Sequence, residues 1–501
     1  MKTKYLLALD SGTSSCRTIA FDLEGRIQHV VQKEFPLYYP EPGWVEQDPL
    51  EIANYQRATL EGVMKELGDR AGGVVGAGIT NQRETVVLWD RRTGEPLHRA
   101  IVWQDRRTAD FMAELAEDQT LVDLIRARTG LVLDPYFSGS KLKWLLDHVD
   151  GARAAAADGH LAFGTIDCWL LWHLTGGRQH ATDASNAART MLFDIHRQCW
   201  DESLLELFDI PESVLPEVVD CSGDFGAVDG MDAVHIRGMI GDQQSALFGQ
   251  GCVTPGDAKT TYGTGCFLLM NTGSDVVQSS TGLLSTVAWR LNGEVTAALE
   301  GSVFMGGAAI QWLRDGLGII DSAPEVNPLA ASVDDTGGVV MVPAFAGLGA
   351  PHWDAWSRGA VFGMTRGTTA AHIARATLEG ISLRIVDVLG AMEKDSSVRL
   401  HELRVDGGAA ASDLLMQIQA NVLGTSVMRP CMLETTALGA AAMAGISAGV
   451  YGGVEEVGAC WHLDQQFDPQ IGDEDRDAIR SRWNHAIECV KGWAQRDDDA
   501  S

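Results

Sequence analysis

A turn of glycine and hydroxyl residues between two apolar runs occurs once in each half of this chain. Residues 6–22 read LLALDSGTSSCRTIAFD, and residues 259–273 read KTTYGTGCFLLMNTG. In the first, Leu6 to Leu9 and Thr18 to Phe21 read as buried strands, and the small residues around Gly12 permit a tight turn between them. No helix signature follows. Glu24-Gly25-Arg26 reads as another turn, and IQHVVQKEF as a further extended segment. The stretch is therefore a β-hairpin tip, not the strand-to-helix loop of a P-loop or a dinucleotide fold. At 501 residues the chain exceeds the ~250–300 at which a single core stops growing, so two domains with one hairpin each are expected. The boundary falls at Gly249-Gln250-Gly251, giving domains 1–249 and 250–501.

Backbone N–H groups in such a tip can cradle a phosphate, with Thr13, Ser14 and Ser15 adding hydroxyl donors. Asp10 would repel that phosphate unless a hard cation sits between them, which points to Mg²⁺. Taken alone, the same residues also read as a solvated turn. A third turn, LRVDGGAAASDLLMQ (403–417), is a strand, a double glycine and a helix start, and Gly407-Gly408 permits close backbone approach to a ligand. Two facing hairpins, one per domain, are how a split, duplicated ATPase grips a nucleotide in a cleft. Helical periodicity over 366–394, with Thr368 or Thr369 as N-cap, and a stripe of Ile479, Trp483, Ile487 and Val490 near the C-terminus complete a mixed α/β pattern.

Composition narrows the function classes. The net charge of −29 repels nucleic acid and anionic membranes. Few of the 39 basic residues are Lys, a balance that suits a salt-rich cytoplasm as well as an ordinary acidic protein. No run approaches the ~20 apolar residues of a membrane span, and MKTKYLLALD has no signal-peptide layout. The nine cysteines are scattered, odd in number and without a CxxC pair, so a reducing, cytoplasmic setting is expected, with neither a disulfide framework nor a zinc site. RDDDAS at the end reads as a short solvated tail.

Four further stretches carry chemistry. ITNQRET (79–85) closes a strand with adjacent Arg83 and Glu84. AIVWQDRRT (100–108) places Trp103 after an apolar run. DPYFSGSKLKW (134–144) presents Tyr136 before a helix, and MIGDQQSALFGQ (239–250) sets Asp242 before an apolar helix. Singly, each has a structural reading. Arg83 and Glu84 form a surface ion pair, the aromatics belong to the core, and Asp242 is an N-cap meeting the N–H of Gln244 or Ser245. Together they all lie at strand ends of an α/β protein, where ligands bind.

With GWVEQDP (43–49), YGTGCF, EGSVFMGGAAIQWLRD (300–315), PAFAGLGAPHWD (343–354) and ETTALGAAAMAG (434–445) added in order, the chain resembles the FGGY carbohydrate kinase family end to end, and its glycerol-phosphorylating members in particular. That resemblance implies two actin-like, ribonuclease H-like ATPase domains flanking a nucleotide cleft. It implies ATP and Mg²⁺, transfer of a phosphoryl group to glycerol, and a homo-oligomer, dimer or tetramer. Carried over, Thr13, Ser14, Ser15 and Arg17 contact nucleotide phosphates and Asp10 faces the hydrated metal. Thr264, Gly307, Gln311 and Gly408 complete the nucleotide site. Arg83, Glu84, Tyr136, Asp242 and Gln243 match the glycerol positions, Trp103 and Phe267 its aromatic walls, and Asp242 is the candidate base.

Two positions depart from the family pattern. Ser11 stands where Gln is usual, and Ser412 replaces an Asn beside the adenine, which affects substrate and nucleotide preference. The competing readings are a kinase of the same family for a pentulose or another polyol, and a non-catalytic actin-like ATP-binding module. Some family members are also inhibited by fructose 1,6-bisphosphate, through an Arg in a loop before GDQQ. Here that loop (226–244) has Ala233 at the matching position, with Asp229 and Asp232 nearby.

Overall fold

The computed structural model describes residues 3–458 and 460–495, so the RDDDAS ending lies outside the described residues. The N-terminal half builds a sheet from β1 (Tyr5–Ser11), β2 (Ser15–Phe21), β3 (Ile27–Glu34), β4 (Val74–Asn81), β5 (Ala227–Val228) and β6 (Met231–Gly241). Their order across the sheet is β5-β6-β4-β1-β2-β3. The C-terminal half builds a second sheet from β7 (Ala258–Tyr262), β8 (Cys266–Gly273), β9 (Leu284–Leu291), β10 (Glu294–Val303), β11 (Leu403–Asp406), β12 (Val427–Pro430) and β13 (Leu463–Phe467). Its order is β9-β10-β8-β7-β11-β12-β13.

The two sheets repeat one plan. A hairpin (β1–β2, β7–β8) receives an antiparallel third strand on its second member (β3, β10) and a parallel strand on its first (β4, β11), with one more parallel strand beyond (β6, β12). The parallel strand aligns its end with the hairpin tip. Asp10 lies opposite Arg17 across the hairpin and beside Thr80 on β4, and Thr261 lies beside Asp406 on β11. Both turns predicted from their glycines are therefore hairpin tips at equivalent corners of two sheets.

Every residue of β1 is buried, as expected of a central strand covered on both faces. One cover is helix Pro49–Leu67, which starts with Pro at its first position and Asp48 accepting from Leu50 N at 2.9 Å. The other cover comes from far along the chain. Helix Thr435–Ser447 is rich in Ala and Gly, and its backbone lies directly on the first sheet. A Cβ at Gly78 would sit 1.9 Å from Ala440 O, and one at Gly249 would sit 2.0 Å from Thr435 O. The break at 249–251 thus separates the strands of the two sheets, but a helix from beyond it closes the core of the first. The predicted long helix forms over Ala370–Ser396, with Thr369 as N-cap in a box with His372. The C-terminal helix Asp473–Val490 buries Trp483, Ile487 and Val490, while Ile479 packs at the rim of the same core. Among the described residues, no helix is long and apolar enough to cross a membrane.

Candidate active site

Arg83 and Glu84 follow the end of β4 at Asn81, in a bend. Glu84 there has φ of 60°, a left-handed conformation that costs a non-glycine residue ~1–3 kcal/mol. Both side chains are buried in one network and are not a surface pair. Nor are they principally each other's partner, since Arg83 Nε is 3.9 Å from Glu84. Glu84 Oε1 instead accepts from Arg189 Nε at 2.6 Å. Arg83 donates to both oxygens of Glu300, at 2.6 and 3.0 Å, and to Gln244 Oε1 at 3.2 Å. Its Nε faces Asp242 Oδ1 at 3.2 Å.

Asp242 is the first residue of helix Asp242–Gly249, and the N-cap is Gly241. The expected capping of Gln244 or Ser245 does not occur. The carboxylate accepts from Gln243 N at 2.7 Å and stays partly open to solvent, with 31% side-chain exposure. Burial raises its pKa, while Arg83 and Lys259 pull the other way. Glu84 is likewise raised by burial, against Arg189 and Arg83. At Glu300 the balance reverses. Burial opposes ionisation, but Arg189 and Arg83 outweigh it and hold the carboxyl down at about 2.

The aromatic walls join this network to the first hairpin. Tyr136 packs edge-on to Trp103 with ring centroids 5.5 Å apart. Trp103 Nε1 donates to Thr13 Oγ1 at 3.0 Å. Tyr136 is fixed by buried Lys141, whose ammonium donates to the carbonyls of Pro135, Tyr136 (2.7 Å) and Phe137 (3.2 Å). Beneath the tip, Gln47 donates to Thr13 O, and Gln82 donates to Gln47 Oε1 at 2.8 Å.

At the hairpin, Arg17 bridges Asp10 (Nε–Oδ2 2.8 Å) and Glu434 (2.6 Å), the residue before helix Thr435–Ser447. Ser14 is exposed and Thr13 and Ser15 are half-buried. A Cβ at Gly12 would meet only Ser15 O, at 3.4 Å, so the tip faces open space. Ser11 Oγ is buried without a hydrogen-bond partner among the described residues.

The second hairpin carries Thr264 at its tip. Thr264 O accepts from Gly306 N (2.9 Å) and Ala308 N (3.0 Å), which ties the tip to helix Gly307–Asp315 and its Gln311. Half-buried Phe267 lies on β8 opposite Thr261. Gln243 accepts at 2.5 Å from buried Lys259 on β7, which also donates to Thr261. After β11, Gly407 has φ of 85° and its Cβ would strike Tyr262 O at 2.6 Å, whereas one at Gly408 would meet nothing within 4 Å. Gly408 is thus open to a ligand, not packed. Ser412 caps helix Asp413–Leu423 by accepting from Leu415 N (3.1 Å) and donates to Asn327 Oδ1 (2.5 Å). Its hydroxyl is thus engaged both as donor and as acceptor within the protein.

Asp10 offers one hard oxygen donor, its other carboxylate oxygen being held by Arg17. No group of three His, Cys, Asp or Glu suited to a metal occurs among the described residues. A single carboxylate suits Mg²⁺ held mainly by phosphate and water oxygens.

Sequence reasoning did not assign Arg189, Lys259, Glu300 or Glu434. Each had a local signal, a charged residue inside an apolar or small-residue stretch (ALEGSV, AART, GDAKTT, CMLETT), but nothing local identifies the partner.

Comparison with known proteins accords with this geometry. Residues 5–249 match the N-terminal domain, and residues 258–448 the C-terminal domain, of the FGGY family of carbohydrate kinases. A glycerol kinase of Aromatoleum aromaticum is 56% identical over 492 residues, 98% of this chain and 99% of that protein. One from Dechloromonas aromatica is 56% identical over 494 residues, 98% of each. The crystal structure of Plasmodium falciparum glycerol kinase with ADP superposes with a TM-score of 0.93 at 36% identity, covering 97% of this chain and 98% of that one. Ligand-bound xylulose kinase from Lactobacillus acidophilus shares the fold, with a TM-score of 0.87 at 20% identity over 97% of each chain. Matched in both halves and across nearly its whole length, this chain belongs to the FGGY family of carbohydrate kinases.

Proposed function

We propose that this protein transfers the γ-phosphoryl group of ATP to a terminal hydroxyl of glycerol, releasing sn-glycerol 3-phosphate and ADP. The observation that carries the reading is the joining of an Arg83–Asp242–Glu84 polar site to a phosphate-type hairpin through Trp103 and Thr13. The relatives at 56% identity named above bear the same activity in their names.

Each residue has a physical part. Arg83 spends three of its five N–H groups on Glu300 and Gln244, leaving two for substrate hydroxyls and Asp242. Glu84 accepts from a neighbouring hydroxyl. Trp103, Tyr136 and Phe267 cover the C–H face of the triol, and Gln243 adds a polar contact. Asp242 takes the proton of the attacking hydroxyl. Thr13, Ser14, Ser15 and Arg17 from one tip, and Thr264 from the other, grip the phosphates across the cleft. Gly307, Gln311, Gly408 and Ser412 line the nucleoside side. Asp10 faces Mg²⁺, which when bound neutralises phosphate charge. Closure of the two sheets over the site excludes water as a competing acceptor.

The test is ADP release measured over a panel of polyols and pentuloses. Glycerol should give the highest kcat/KM by at least about tenfold, a difference of ~1.4 kcal/mol in transition-state binding. A pentulose preferred over glycerol, or no polyol-dependent ADP release, would refute it.

A further inference from the structure

We propose that Glu300 is a positioning residue for phosphoryl transfer, a carboxylate from the second sheet that holds Arg83 and Arg189 so that these orient Asp242 and Glu84 towards one acceptor hydroxyl. The proposal rests on the reading of Asp242 as base.

Glu300 lies in the interior of its sheet, on β10 between Leu269 of β8 and Leu284 of β9, and is fully buried. A carboxylate there needs compensation, and all its hydrogen bonds come from the other half of the chain. Arg83 grips both oxygens, and Arg189 Nη2 adds a third bond at 3.0 Å. Each guanidinium then has its Nε left for one site carboxylate, Arg83 for Asp242 and Arg189 for Glu84. Arg189 Nη1 is buried without a hydrogen-bond partner among the described residues, so the hydrogen bonds of that guanidinium go to these two carboxylates, with the Tyr136 and Phe137 rings beside it.

Consider the same site without the charge of Glu300. Both terminal nitrogens of Arg83 lose an anion, and the nearest remaining one is Asp242. A forked Arg83–Asp242 pair would stabilise the carboxylate and weaken it as a base, while drawing it out of line. Glu300 prevents this by occupying the fork. The groups facing Asp242 are Arg83, Lys259 and Glu300, and those facing Glu300 are Arg189, Arg83 and Lys259. With Glu84, and with buried Asp406 beside Lys259, three cations and four carboxylates therefore meet at the floor of the cleft. Because Glu300 shares its sheet with the second hairpin while its partners belong to the first half, the same contacts set the register between acceptor site and phosphate site.

The experiment compares Glu300→Gln, Glu300→Asp and Asp242→Asn with the wild type, measuring kcat, both KM values, the pH profile of kcat/KM and the melting temperature. Glu300→Gln should lower kcat on the order of tenfold or more, leave KM for ATP within about threefold, and move the acid limb of the profile to lower pH. Glu300→Asp retains the charge and should recover part of kcat with the limb at its wild-type position. A Glu300→Gln enzyme whose acid limb is unmoved and whose two KM values rise together has lost only structure, and that overturns the proposal. So does Glu300→Asp no better than Glu300→Gln. Should Glu300→Gln not fold, Glu300→Gln/Arg189→Met removes the unbalanced guanidinium and reports the same limb, with the same shift expected and the same absence of shift decisive against it. Asp242→Asn separates the two levels. If it stays active, the assignment of the base fails. If it is dead while Glu300→Gln behaves as wild type, only the role of Glu300 fails.

Discussion

Replacing Asp242 with Asn tests the central assignment with little geometric disturbance. Asn is nearly isosteric, and its carbonyl oxygen can still accept from Gln243 N, now at 2.7 Å, and from Arg83 Nε, now 3.2 Å away. Arg83 remains anchored on Glu300, so the pocket keeps its shape. What disappears is the capacity to take a proton. General-base catalysis supplies ~10²–10⁴-fold, so kcat should fall by that factor, about 3–5 kcal/mol in the barrier, with both KM values nearly unchanged. The pKa of Asp242 is raised by burial, so wild-type kcat/KM should decline on the acid side above the ordinary carboxylate range, where the base becomes protonated. That limb should vanish from the residual activity of the variant. Stability gives an independent sign. A carboxyl whose folded pKa is raised favours folding while protonated, and that contribution is lost as pH rises through the folded value. Above the ordinary carboxylate range Asp242 is thus a liability to folding, and the Asn variant should melt at or above the wild-type temperature there. Initial rates by coupled ADP detection and a thermal melt suffice. A variant retaining more than about a tenth of kcat, well short of the expected loss, would show that Asp242 is not the base.

Arg83→Ala should raise KM for glycerol by roughly 10- to 100-fold, from the ~1.5–3 kcal/mol of a charged donor, and KM for ATP far less. Glu84 keeps Arg189 at 2.6 Å, but Glu300 loses two of its three hydrogen bonds, so the melting temperature should fall as well, and equal effects on both KM values would refute the substrate contact. Asp167 is buried, accepts from Thr165 (2.5 Å) and Thr182 (2.6 Å), and has its pKa raised by burial and by neighbouring Asp183. The cost of ionising it therefore builds as pH rises from the ordinary carboxylate range and is complete once the folded group has lost its proton. Asp167→Asn should raise the melting temperature at pH 8, on the order of 2–4 °C for each kcal/mol regained, and raise it progressively less as pH falls towards 4, so a flat difference across pH would count against the reading. Fructose 1,6-bisphosphate should not inhibit. In the loop before Asp242, Asp229 pairs with Arg178 at 3.2 Å, and Arg237 is held by Asp224 at 3.0 Å, leaving no free cation there, among the described residues, for a bisphosphate. Saturable inhibition at sub-millimolar bisphosphate with Mg²⁺ in excess would show otherwise.

What the sequence disclosed and what it hid divide along range in the chain. The two hairpins were legible because a turn and its flanking strands are one local pattern, and the register Asp10 opposite Arg17 follows from that turn alone. The long helix and its Thr369 cap were legible for the same reason. Arg83 and Glu84 were singled out together, yet their adjacency suggested a mutual pair, and the structure instead sends one to Glu300 and the other to Arg189. Those partners are separated by 217 and 105 positions, a distance at which neither periodicity nor spacing carries information. The same limit explains helix Thr435–Ser447. Its Ala and Gly content marks close packing, but only the fold shows that the close surface is Gly78 of the first sheet, not a strand of its own half. Ser412 stood out in the sequence as a departure from the family pattern, but the bonds of its hydroxyl to Leu415 and Asn327, the second 85 positions away, did not. Helix Thr435–Ser447 also ends in a functional link. Its preceding residue, Glu434, shares Arg17 with Asp10, so the strand-to-helix turn of the second half touches the first hairpin, the one proposed to grip phosphate. Any motion of the two halves must therefore either carry Glu434 with Arg17 or release Arg17 to the phosphates, and a hairpin arginine balanced between two carboxylates is suited to the second course when an anion of higher charge arrives.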